Sequence, residues 1–242
     1  MFLSRLDVEL ASRQMVKSRN VAQQIIKEGI VFVNDKAVVK ASADVNETDK
    51  IELKGDLPRY VGRGGLKLEK AINEFGIDLT DKVCIDIGAS TGGFTDCMLQ
   101  NGARIVYAVD VGRDQLDISL KKDSRVISLE QTDIREAKGK IPEKADFISI
   151  DVSFISLRAV LPFAVGLLKP TGAIAALIKP QFEVGKSGIG KNGIVKNPKL
   201  REKAVNEIKE CASILGLKIA GTVQSPIAGG DGNIEYLIYL LR

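Results

Sequence analysis

The sequence predicts a doubly wound α/β domain with a seven-stranded, mostly parallel sheet over residues 63–242, preceded by a small α+β domain over residues 1–58. Three observations predict this. Within the first 55 residues the apolar pattern switches from a helical period to an alternation of two. Beyond Gly65, short apolar runs alternate with helix-length or loop-length segments. The first of those runs, Val83–Ile87, leads straight into a turn of small residues, as the first strand–helix junction of such a sheet does.

The elements follow in order. Residues 4–13 carry helical spacing, with Leu6, Leu10 and Met15 apolar and Arg5, Glu9 and Arg13 polar. Ser18 has the chemistry of an N-cap for a second helix with Val21, Ala22, Ile25 and Ile26 on one face, and Gly29 stands where a left-handed terminating residue belongs. Val31 and Val33 then alternate with polar neighbours, Asn34-Asp35 supplies a turn, Ala37-Val38-Val39 returns, and Ile51-Glu52-Leu53 adds another short strand. Pro58 marks the boundary, and the basic, glycine-rich stretch that begins with the linker 59–62 reads as a hinge. A helix is expected from Gly65 to Phe75. Strands are expected at Val83–Ile87, Ile105–Val109, Val126–Leu129, Phe147–Ile150, Ala173–Ile178, Ile219–Val223 and Tyr236–Leu241. The last two flank a turn at Ala228–Gly232, which suits an antiparallel hairpin at one end of the sheet.

Composition narrows the function classes. The chain contains no histidine, so no mechanism that needs an imidazole base or ligand is available. Cys84, Cys97 and Cys211 are scattered and odd in number, which favours a reducing cytoplasm and argues against a disulfide framework or a zinc cluster. The longest apolar stretch, around Val160–Leu168, is short of the roughly 18 residues a membrane span needs and holds Pro162. Met1-Phe2-Leu3 runs at once into a charged helical pattern, so no secretory leader is expected. A net charge of +4 is mild, but the cations cluster. Arg59, Arg63, Lys67 and Lys70 face only Glu69 within residues 59–70, and a second basic cluster lies within residues 186–203. Such clusters can form a track for a polyanion.

The run Val83-Cys-Ile-Asp86-Ile-Gly88-Ala-Ser90-Thr-Gly92-Gly93-Phe94 is a buried strand, a small-residue turn and a helix start. Small residues let the backbone approach a ligand, and the helix N-terminus offers unpaired N–H groups. A dinucleotide fingerprint needs glycine where Ser90 stands. A hydrolase elbow is matched literally by Gly88–Gly92, but its triad needs a histidine. S-adenosylmethionine remains. It predicts an acid at the end of the next strand for the ribose hydroxyls, met by Asp110, and a polar residue after the third strand near the adenine, met by Asp133. Gly185–Asn192 approaches a phosphate-binding loop, but Asn192 replaces the metal-binding hydroxyl, and Gly193 and Pro198 follow where an apolar helix should begin. It reads instead as a mobile basic loop over the site.

Methylating a ribose 2′-hydroxyl needs a base and an aimed alcohol, but no metal. Without histidine, a lysine held as its neutral amine by burial and a neighbouring cation is the natural candidate. Lys67 opens the first helix of the larger domain, Asp151 ends the fourth strand, Lys179 ends the fifth and Glu235 begins the last. The carboxyl edge of a parallel sheet is where such sites assemble, so Asp151 and Lys179 are expected to converge there.

The amino-terminal run resembles the alpha-L RNA-binding motif, on Ser18-Arg19, Ala22, Ile26, Gly29, Val31, Val33-Asn34 and Val38. That resemblance implies that the second helix presents Lys17 and Arg19 to RNA phosphates. The larger domain resembles FtsJ-type class I, Rossmann-like ribose methyltransferases, and the whole chain resembles the TlyA family. The carrying residues are Arg63-Gly-Gly-Leu-Lys67-Leu, Asp86–Phe94, Asp151-Val-Ser-Phe-Ile155, Lys179-Pro-Gln-Phe-Glu183 and Gly229–Glu235. The resemblance implies a Lys67-Asp151-Lys179-Glu235 tetrad with Lys179 as the base, S-adenosylmethionine as cofactor and cytidine in ribosomal RNA as substrate. It implies that an interdomain tetrapeptide at Arg59-Tyr60-Val61-Gly62 couples RNA and cofactor binding. Arg59 and Arg63 join Lys17 and Arg19 as expected RNA contacts. The same family carries the haemolysin name, so a membrane-active protein is one alternative, and a catalytically inactive RNA-binding protein is another.

Overall fold

The computed structural model describes residues 3–185 and 188–242. Met1 and Phe2, where the leader was sought, and Lys186 and Ser187 of the basic glycine-rich loop lie outside the described residues.

The amino-terminal domain holds β1 (Leu3–Arg5), α1 (Leu6–Ser12), α2 (Arg19–Lys27), β2 (Val31–Val33), β3 (Lys36–Ala37), β4 (Asp44–Asn46) and β5 (Ile51–Leu53). Strands β3, β2 and β5 form one antiparallel sheet, while β1 pairs with β4. The first helix therefore starts at Leu6 rather than at residue 4, because Ser4 and Arg5 pair with Val45 and Asp44. The return strand stops at Ala37, short of the expected Val39. Leu6 and Leu10 of α1 pack with Val21, Ala22, Ile25 and Ile26 of α2 over Val31. The Ser18 hydroxyl accepts from Val21 N at the start of α2, and Gly29 takes a φ of 75° after its end, so both helix signals act as expected.

Inside this domain sits a fully buried carboxylate, Asp7. It accepts from Arg5 Nε at 2.9 Å, Gln23 Nε2 at 2.8 Å and Arg19 at 3.0 Å. A carboxylate out of water needs such partners. The Arg5 hydrogen bond, above all, holds its carboxyl well below the usual range.

The larger domain holds α3 (Gly64–Phe75), β6 (Val83–Ile87), α4 (Gly93–Gln100), β7 (Ile105–Val109), α5 (Ile118–Lys121), β8 (Val126–Leu129), β9 (Ala145–Ile150), α6 (Leu157–Leu167), β10 (Leu168–Ile178), α7 (Pro198–Ile214), β11 (Lys218–Gln224) and β12 (Tyr236–Leu241). Its sheet order is β11-β12-β10-β9-β6-β7-β8, and β12 alone runs against its neighbours. This is the expected seven-stranded, mostly parallel sheet with its reversed strand near one end. Four strands keep their expected bounds, while β9, β10 and β11 run longer. Strand order reverses between β6 and β9, so the connections leaving their carboxyl ends go to opposite faces of the sheet and leave a crevice.

The expected hinge is packed rather than free. Tyr60 and Val61 are buried among Leu68, Cys97 and Met98. Val61 N donates to Asp96 Oδ2 at 2.9 Å, and a Cβ on Gly65 would overlap the Tyr60 ring. The linker thereby anchors the first turn of α3, which carries Lys67.

Asp7→Asn removes the charge that three donors share, and should lower the stability of the amino-terminal domain by about 1.5–3 kcal/mol, the worth of hydrogen bonds to a charged group. Since the carboxyl is depressed in the folded state, its contribution is present above about pH 4 and lost as pH falls below that. Hydrogen exchange of the α2 amides at pH 7 measures the loss. Unchanged protection would show that the buried charge is neutral to stability.

Candidate active site

Strand β6 is buried along its whole length and delivers Gly88 to the crevice. Gly88 has a φ of 84°, and a Cβ there would overlap the carbonyl oxygen of Asp151. Only glycine allows this approach. Asp151 N donates to Ile87 O at 2.9 Å, so the loops after β6 and β9 are bonded to each other at the switch point.

The tetrad residues come from four elements and meet as two ion pairs. Lys67 Nζ on α3 lies 2.6 Å from Glu235 Oε2 just before β12, and both side chains are buried. Gly229 makes room for that carboxylate, since a Cβ there would overlap Glu235 Oε1. Lys179 Nζ, after β10, lies 2.6 Å from Asp151 Oδ1 and donates to Ser153 Oγ at 2.9 Å. Asp151 Oδ1 is buried against that ammonium. Lys67, Asp151, Ser153 and Lys179 line one cavity of about 290 Å³ with Arg63 and Phe94, while Glu235 stands behind Lys67. A cation was expected beside the candidate base, and Lys67 is the one that shares its cavity. Its own pair with Glu235 largely neutralises that charge.

A second cavity of about 340 Å³ adjoins the first, sharing Gly88, Ser90, Asp151 and Ser153. Asp110 and Asp133 both line it. Asp110 Oδ2 accepts from Ser90 N at 2.7 Å and Oδ1 from Gly112 N at 2.7 Å, so this carboxylate clamps the glycine loop. Ser90 itself takes a φ of 47°, rare for a residue with a side chain. Asp133 is held by Arg135 through both carboxylate oxygens, which lowers its carboxyl to about 2.

Other expected site residues are placed elsewhere. Asp86 faces the interior beneath the loop, accepting from Thr95 Oγ1 at 2.7 Å and Ser149 Oγ at 2.9 Å. Gly92 packs against Leu116 and Leu120 of the segment around α5 rather than facing a cavity, whereas Gly93 lines the first one. Among the expected RNA contacts, Arg19 is engaged by Asp7 and Arg59 by Glu69, while Lys17 and Arg63 are exposed. Ser153 was not among the candidates; its only signal was its place two residues after Asp151. Phe154, beside it, is 92% exposed at a φ of 64° and leans on Phe182.

Burial raises the Asp86 carboxyl to about 6 against the two hydroxyl donors, which lower it. Folded molecules therefore keep a proton that unfolded chains have lost between about pH 4 and 6. That stabilising share is full below about pH 4 and is lost as pH rises through about 6. Relative to Asp86→Asn, wild-type stability should fall by roughly 2–3 kcal/mol over that window. Urea melts of the two proteins from pH 4 to 7 test it; parallel profiles would reject the buried-proton assignment.

The comparisons with known proteins agree with this geometry. Residues 60–242 match the family of FtsJ-like methyltransferases, and residues 4–51 match the S4 domain. Hemolysin A of Brachyspira hyodysenteriae is 42% identical over 98% of this chain and 99% of its own length. The 16S/23S rRNA (cytidine-2'-O)-methyltransferase TlyA of Mycobacterium tuberculosis is 40% identical over 98% of this chain and 89% of its own. A solved structure from Streptococcus thermophilus, named as a hemolysin, has a TM-score of 0.78 at 43% identity, covering 99% of this chain and 88% of that one. With its sheet order, glycine loop and two-domain plan, the chain is a methyltransferase of the FtsJ-like family, in the TlyA group that carries an S4 domain.

Proposed function

We propose that this protein is an S-adenosylmethionine-dependent ribose 2′-O-methyltransferase acting on cytidine in ribosomal RNA. The observation that carries the reading is the meeting of Lys67, Asp151, Lys179 and Glu235 beside a glycine-loop crevice, in a chain without histidine. The TlyA relative's substrate and the S4 domain support ribosomal RNA as the partner. Among the described residues no cluster of His, Cys, Asp or Glu suits a metal ion, and no helix is long and apolar enough to cross a membrane.

The residues fit the cofactor. Gly88 and Ser90 leave a cradle that a larger side chain at Gly88 would fill, Asp110 offers a carboxylate to ribose hydroxyls, and Asp133 and Ile134 stand at the adenine end. When bound, the cofactor supplies a methyl group on a cationic sulfur. The chain's own residues then have three tasks. The Asp151 carboxylate, which lines the cavity, orients the incoming hydroxyl. Lys179 Nζ takes the hydroxyl proton, and Asp151 at 2.6 Å stabilises the ammonium that results. Lys67, locked by Glu235, forms a fixed wall that holds the ribose in place.

Asp110→Ala should weaken S-adenosylmethionine binding by about 1.5–3 kcal/mol through lost hydrogen bonds to a charged group. Equal affinities by calorimetry would remove the ribose assignment. Lys179→Ala should cost about 10²–10⁴-fold in methyl transfer to ribosomal subunits, with cofactor and RNA affinity close to wild type. Lys179→Arg should be nearly as inactive, since guanidinium keeps its proton at any working pH. Tritium transfer from the methyl donor reads both. Substantial turnover by Lys179→Arg would make Lys179 an electrostatic positioner and not a base.

A further inference from the structure

One buried carboxylate bridges the two domains. Asp117 belongs to the larger domain, immediately before α5, and is 1% exposed. Its Oδ1 accepts from Ser119 N at 2.9 Å and Ser119 Oγ at 2.8 Å, capping α5. Its Oδ2 accepts from Ser18 Oγ and from Asn20 Nδ2 at 3.2 Å, both at the start of α2 in the S4 domain. Ser18 is 4% exposed and is at the same time the N-cap of α2. A single buried group therefore serves the starts of two helices from different domains.

The segment that carries Asp117 is also the outer support of the cofactor loop. Asp117 N donates to Thr91 O at 3.2 Å, and Leu116 and Leu120 pack so closely on Gly92 that a Cβ there would overlap them. Gln115, two residues before Asp117, lines the cavity that holds Asp110 and Asp133. Glu130 fixes the segment further, accepting from Gln115 N at 2.7 Å and Leu116 N at 3.0 Å. An unbroken path of contacts thus joins the first turn of α2 to the glycine loop. The linker meets this path at Thr91, where a Cβ on Gly62 would overlap the threonine hydroxyl, and packs elsewhere against α3 and α4.

We infer that Asp117 is a positioning residue for the methyl transfer: with Ser18 it locks the S4 domain at one orientation to the glycine loop, so that RNA held by the S4 domain reaches the tetrad in register. The role in catalysis rests on the RNA methyltransferase reading, whereas the lock itself rests on the contacts alone. Burial of both partners decides between a fixed lock and one that an arriving phosphate displaces. A phosphate has no access to Ser18 while Asp117 covers it. Misplacing bound RNA relative to the reactive centre by an ångström can cost about 100-fold in rate.

The test uses the full chain, with Ser18→Ala, Asp117→Asn and the double variant, and Ser18→Thr as the conservative change that keeps a hydroxyl. Spin labels on cysteines introduced at Lys27 and Lys138, in a Cys211→Ser background, report the distance between domains. Ser18→Ala and Asp117→Asn should each broaden that distance distribution and lower kcat/KM for ribosomal subunits about 10- to 100-fold. The double variant should be no worse than the worse single, since both singles break the same Ser18–Asp117 bond. Ser18→Thr should restore both readouts. Ser18→Ala should leave S-adenosylmethionine affinity within about twofold, because Asp117 keeps its bonds to Ser119 and Thr91 and so still supports the glycine loop; a general loss of folding would not spare it. Unchanged distances in both single variants, losses that multiply in the double, or higher activity on breaking the bond would each overturn the lock. The distance measurement needs no substrate. It therefore decides the lock even if wild-type protein transfers no methyl group to ribosomal RNA, an outcome that would instead remove the functional reading.

Discussion

The structure turns on the contact between Gly88 and the Asp151 carbonyl, where the loops after β6 and β9 meet at the reversal of strand order. With any side chain at position 88 the loops would have to part, and the crevice would lose its geometry. Because they touch, both cavities share Gly88, Ser90, Asp151 and Ser153, and in the proposed reading one piece of backbone would serve the methyl donor and the acceptor alcohol together.

Around this contact the charges are arranged in pairs. Lys67 answers Glu235 and Lys179 answers Asp151, so two cations sit near one cavity without bare repulsion between them. A buried charge that lacks a partner is costly, and pairing lets the site stay dry and still polar. The pairs differ in what they leave open. Glu235 is enclosed behind Lys67, whereas Asp151 lines the cavity. Asp86, one layer deeper, has hydroxyl partners instead of a cation, and burial there favours the proton over the charge.

The S4 domain is held by the same economy of polar groups. Asp7 organises its interior from one end of α2, and Asp117 receives the other side of that helix start across the domain boundary. The basic N-terminus of α2 is thus largely occupied by protein carboxylates, with Arg19 turned to Asp7 and Ser18 to Asp117. All four expected RNA contacts are exposed; Arg19 and Arg59 are ion-paired as well, and Arg63 lines the tetrad cavity. RNA approaching along this side would meet the reactive centre and the domain boundary together.

Much of this was legible in the residues themselves. The seven strands of the sheet could be read because each is a short apolar run bounded by turn residues, a local property. The glycine loop, Asp110, Asp151 and Lys179 could be read because function at a parallel sheet gathers at strand ends, whose positions follow from the strands. Strands β1 and β4 could not, since three residues are too few to show a period. Nor could the burial of Tyr60 and Val61, because a basic, glycine-rich stretch looks like a hinge until something packs on it. Ion-pair partners were beyond the sequence altogether. Residues 168 positions apart meet in Lys67–Glu235 and 99 apart in Ser18–Asp117, and which cation a carboxylate neutralises depends on proximity in space. The sequence determined the sheet and the kinds of chemistry it could host. Tertiary packing decided which charges face the cavity and which are spent on holding it together, because electrostatic and hydrogen-bond energies fall off over a few ångströms and only the folded chain sets those distances.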